Sequence, residues 1–116
     1  MVMAQKFVGL LMNSRTQAHS FHLTTSSFAE HKALQAYYEG IVPLLDAYAE
    51  AYMGKYGRFK KVIAGRRTIS KNPKLYFRNL LTQISSIHLP HDAYLDNIRL
   101  EVTALIQSTL YMLSLH

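Results

Sequence analysis

The chain has 116 residues, a formal charge of +6, 49% hydrophobic and 17% charged residues, and neither cysteine nor tryptophan. That length reads as one domain spanning residues 1–116, and the missing thiols exclude disulfides and thiolate metal centres. Charged residues usually make up about a quarter of a soluble domain. The low content here therefore fits a surface partly covered by other subunits.

The first predicted helix runs from about Ala4 to Leu23, with Phe7, Leu10, Leu11, Ala18 and Phe21 recurring at three- and four-residue steps. Its apolar run from Phe7 to Met12 is too short to span a bilayer. No secretory cleavage pattern follows, so a cytoplasmic location without membrane contact is expected. Thr24-Thr25-Ser26-Ser27 ends the helix, and Ser27 with Glu30 forms a capping box for the next one. That second helix spans about Phe28 to Met53, with Pro43 as an internal kink. Gly54 and Gly57 stop it. Residues 55–71 form a connector. Asn72-Pro73 caps and opens a third helix ending near His88, and a fourth follows Leu89-Pro90-His91-Asp92 to the C-terminus. Short links make two antiparallel hairpins, and the long connector carries the chain back between them. The expected fold is therefore an all-α, ferritin-like four-helix bundle with one crossover.

Several polar side chains fall into register on this frame. His19 and His31 lie six residues either side of Thr25, so an antiparallel hairpin can set them face to face; His22 is one turn from His19. Asp46 and Glu50 share one face of the second helix at i, i+4. They follow His31 by fifteen and nineteen residues, roughly 22–28 Å of helix. Imidazoles and carboxylates can then meet only between subunits, through a homodimer in which two copies of helix two pair head-to-tail. Gly40 would permit close approach at the axis.

His19, His31, Asp46 and Glu50 reproduce ligand types and intervals of the Dps proteins, members of the ferritin superfamily, which this stretch, residues 18–53, resembles. The resemblance implies a di-iron ferroxidase site shared across a two-fold dimer interface, and dimers that assemble further. Gln35 stands where that family has another carboxylate, so His22, Gln35 or Glu39 would complete the site. Zinc or manganese are alternatives to iron, and a metal-free structural bundle is the alternative to any metal. The hairpin from His19 to Leu34, with Gly54-Lys55-Tyr56-Gly57, is also similar to short proteins of tailed phages.

Charge is segregated along the chain. Nine of the thirteen Lys and Arg residues lie between Lys55 and Arg78, and no Asp or Glu occurs between Ala51 and His91. Lys60, Lys61, Arg66 and Arg67 are the candidate phosphate contacts of a nucleic-acid-binding segment. No nucleophile motif or phosphate-binding glycine loop is present, so no catalytic residue is assigned.

Overall fold

The computed structural model describes residues 2–63 and 71–115. Four helices form: α1 (Val2–Thr24), α2 (Phe28–Tyr56), α3 (Pro73–Ser85) and α4 (Ala93–Leu113). The longest, α2, has 29 residues, about 43 Å of helix, and the molecule measures 43 × 25 × 22 Å. One helix thus sets its long dimension.

Side-chain contacts fix the directions. Phe7 near the start of α1 packs on Tyr48 late in α2, so these two helices are antiparallel. Tyr56 at the end of α2 meets Asp92 at the start of α4, while Gly40 faces Leu105, making α2 and α4 antiparallel as well. Tyr76 of α3 packs on Phe21, and Phe77 on Tyr37. Hence α3 begins at the end of the bundle opposite the one where α2 finishes. Residues 57–72 join these two ends. This up–down–down–up order with one crossover is the predicted ferritin-like connectivity.

Local chemistry explains the ends. Ser27 Oγ accepts from Glu30 N–H at 3.2 Å, as a capping residue should. Glu30 does not return the bond to Ser27; its carboxylate accepts from the Thr25 hydroxyl, which accepts from Ser27 N–H. Gly57 sits at φ 102° and donates its N–H to Met53 O, so α2 runs one turn past the predicted end. Pro43 lies exposed within α2, which continues through it. Asn72 caps α3 through Leu75 N–H, with Pro73 in the first turn as predicted. α3 ends at Ser85 rather than near His88, yet Ile87 and Leu89 still reach the core from the link. Arg99 of α4 secures that end, donating to Ile84 O at 2.6 Å and Ile87 O at 2.8 Å. A cation at the carbonyl end of a helix complements its dipole, and it supplements the weak bond that Ile84 O accepts from Ile87 N–H at 3.4 Å.

Phe7, Leu11, Leu34, Tyr37, Ile41 and Phe77 have no exposed surface. Two buried tyrosines differ in how their hydroxyls are treated. Ser14 Oγ donates to Leu11 O at 2.7 Å, so the Tyr37 hydroxyl, 2.6 Å away, donates to Ser14. Among the described residues the Tyr48 hydroxyl finds no hydrogen-bond partner, and burial pushes its pKa up to about 12.

The two should therefore respond oppositely to loss of the hydroxyl. Tyr37→Phe removes a satisfied buried bond and should lower the unfolding free energy by about 1 kcal/mol. Tyr48→Phe removes a buried hydroxyl with no partner and should leave stability unchanged or raise it by up to about 1 kcal/mol. Urea unfolding of both variants tests the contrast.

Candidate functional sites on the first hairpin and the basic segment

The α1–α2 link is Thr25–Ser27. The turn is therefore centred on Ser26, one residue later than the sequence register assumed. This shift decides which histidines meet. His22, not His19, lies against His31, with ring centroids 3.6 Å apart and planes 20° from parallel. His22 Nδ1–H donates to His31 O at 2.7 Å, and His31 Nδ1–H donates to His22 O at 2.8 Å. A carbonyl only accepts, so both rings carry their proton on Nδ1 and leave Nε2 as a free acceptor. His22 O belongs to the last turn of α1, where carbonyls lack helical partners. His31 therefore caps α1 while stacking on its neighbour. His19 is turned aside and stacks on Tyr38 at 4.6 Å. The expectation that His19 faces His31 is corrected: the face-to-face pair is His22 and His31.

The carboxylates stand apart. Asp46 and Glu50 are exposed on the outer surface of α2. Asp46 borders a shallow groove of about 270 Å³ with Met12, Arg15, Thr16 and Val42. Gln35 Nε2 donates to Glu39 Oε1 at 3.0 Å, so these two supplementary ligands engage each other. Among the described residues, no three His, Asp or Glu side chains come together to hold a metal ion. Gly40 does not open an outer surface: a Cβ there would stand 3.3 Å from Leu105 Cδ2. Its missing side chain serves close packing of α2 on α4 within one chain.

At the other end of the bundle, Asp92 accepts from the Tyr56 hydroxyl at 2.6 Å and pairs with Lys55. Sequence reading placed Asp92 in a link. Its position just before α4 marks a cap, yet the carboxylate makes no cap bond because Lys55 and Tyr56 claim it. Those two bonds hold its carboxyl below the usual carboxylate range, and the same contact raises Lys55. Lys60 and Lys61 are exposed, as are Arg58, Lys71 and Arg78. Lys61 and Lys6 border a groove of about 230 Å³ with Val2, Gln5 and Ile63. Arg66 and Arg67 lie outside the described residues. Beyond Lys55, the described cations of this segment form no ion pair with any described carboxylate.

The molecule is thus an all-α bundle of ferritin-like connectivity, with a histidine-clasped hairpin at one end and a cation-rich crossover. Residues 22–113 match DUF5856, a family of unknown function, and the chain belongs to that family. It is also similar to the "Uncharacterized 14.6 kDa protein in mobD-ri intergenic region" of Enterobacteria phage T4. The two are 27% identical over 113 residues, covering 97% of this chain and 88% of that protein. No solved structure matches. The phage likeness read from the hairpin agrees with these findings; the Dps likeness rests on ligand spacing alone.

Two outcomes follow from these contacts. Long-range ¹⁵N NMR at pH 8 should show His22 and His31 both as the Nδ1–H tautomer; the Nε2–H form at either would break the reciprocal clasp. The Asp92 contribution to stability is present above its unfolded pKa of 3.8 and is lost as pH falls through the lower folded value. The Lys55 contribution is complete below 10.5 and is lost as pH rises through the higher folded value. In Asp92→Asn, the shift of the Lys55 titration should disappear.

Proposed function

We propose that the protein is a nucleic-acid-binding helical bundle whose contact surface is the basic segment from Arg58 to Arg78. One observation carries this reading. A stretch with no carboxylate between Ala51 and His91 holds nine cations, and those described beyond Lys55 are left without acidic partners in the fold. Ion pairs inside the chain would consume such charges; here they remain available for phosphates, and neutralising phosphates releases condensed counterions. Lys60 and Lys61 sit on the exposed crossover, and Arg78 extends the charge onto α3. Among the described residues no helix is long and apolar enough to cross a membrane. With a phage-type relative, the reading places the protein at nucleic acid in a host cytoplasm.

Fluorescence anisotropy on a labelled 30-base-pair duplex in low salt tests it. Lys60→Glu with Lys61→Glu should weaken binding by about tenfold or more. Asp46→Ala with Glu50→Ala, on the opposite charge surface, should not weaken it. Equal affinities for wild type and the double lysine reversal would overturn the reading.

A second reading is an inter-subunit divalent-metal site in which His31, with His22 rather than His19 beside it, joins Asp46 and Glu50 to hold iron, zinc or manganese. Its support is the clasp: a histidine that donates Nδ1–H to a carbonyl presents Nε2 in the tautomer metals require. Asp46 and Glu50 would come from a second copy through a helix-two dimer. Addition of Fe(II), Zn²⁺ or Mn²⁺ should raise the melting temperature of the wild type but not of His31→Ala or Asp46→Ala. Equal shifts in all three would remove this reading, and with it any ferroxidase activity.

A further inference from the structure

The outer face of α4 is built unlike a solvated helix surface. Ala93, Asn97, Leu100, Ala104, Gln107 and Tyr111 are all exposed, and none is charged. Leu100 keeps 65% and Tyr111 66% of its surface in solvent. Successive members are four, three, four, three and four residues apart. That alternation keeps one straight seam along a helix, the spacing that knobs-into-holes packing uses. The buried side of α4, with Leu95, Val102, Ile106 and Leu113, already faces its own bundle. The seam is therefore a second packing face without a described partner.

The order of residues along the seam identifies the partner. Positions equidistant from Val102 are Ala93 and Tyr111, Asn97 and Gln107, and Leu100 and Ala104. In an antiparallel pair of identical helices centred at that level, a large side chain meets a small one at four of six contacts. The remaining two contacts join an amide to an amide, each supplying donor and acceptor. An isologous two-fold contact requires this self-complementarity. Charge favours the same face. Nine of thirteen cations lie between residues 55 and 78, while α4 carries only Asp96, Arg99 and Glu101. Arg99 is turned onto the carbonyls ending α3. The seam itself thus adds no charge to a contact between two copies of net charge +6. The seam spans nineteen residues, about 27 Å, which sets the contact at the small end of specific interfaces.

We infer that α4 is a dimerisation helix, pairing antiparallel with a second copy of this chain through the Ala93–Tyr111 seam. The pairing is independent of nucleic-acid binding and uses a different surface from the helix-two dimer of the metal reading. Glu101 flanks the seam and meets its own copy near the axis, so Glu101→Gln should tighten the dimer.

Sedimentation equilibrium on the full chain tests it. The wild type should shift with concentration from 13.3 kDa towards twice that mass. Leu100→Glu should hold it at the monomer mass with unchanged helical circular dichroism. Leu100→Ala and Ala104→Leu should each weaken the dimer, by opening a gap and by crowding. The double variant exchanges large for small within the same contact and should recover wild-type association. A wild type that stays monomeric to about 1 mM, a dimer indifferent to all these variants, or a double variant weaker than both singles would overturn the inference.

Discussion

Forty-one residues without a carboxylate, from Ala51 to His91, leave the described cations of the crossover and of α3 without an acidic partner, Lys55 excepted. The rest of the molecule accommodates that constraint. Acidic side chains stand on α2, on α4 and just before it, and among the described residues Asp92 reaches back to Lys55 and Tyr56 while Asp96 lies 3.4 Å from His91. Unpaired charge on a compact domain costs self-repulsion. Arg58, Lys60, Lys61, Lys71 and Arg78 meet that cost on exposed side chains, outside the core. The exposed seam of α4 from Ala93 to Tyr111 carries none of this charge.

Helix boundaries and connectivity were legible because they are local. Ser27, Asn72-Pro73 and Gly57 act within four residues of themselves, and apolar spacing names the buried stripe of each helix. The crossover followed from counting: the sixteen residues 57–72 suffice to span the bundle, and the links of three and seven residues do not. The end of α3 was misplaced because Ile87 and Leu89 continue the apolar pattern while the backbone has left the helix. Arg99, fifteen residues beyond Ile84, stops it there, and no local signal marks that contact.

The histidine cluster was legible as a cluster and misread as a geometry. A one-residue shift in the centre of a hairpin changes which side chains face each other. Here it exchanged His19 for His22 against His31. The cause is the Thr25–Ser27–Glu30 hydrogen-bond relay, which sets where the turn closes. Gly40 shows the same limit: sequence marks a close approach there, but whether it lies within or between chains is a tertiary fact, and Leu105 decides it. The uncharged α4 seam was hidden because the sequence shows one continuous apolar helix. Only the exposure of Leu100 and Tyr111 separates its two faces.

The salt dependence of nucleic-acid affinity tests the central claim most directly, because counterion release reports how many phosphates the basic segment neutralises. The account predicts that log K for a DNA duplex falls linearly with log salt, with a slope of about −4 or steeper. A shallow or flat slope between 50 and 300 mM salt would contradict it and leave the cations as solvated surface.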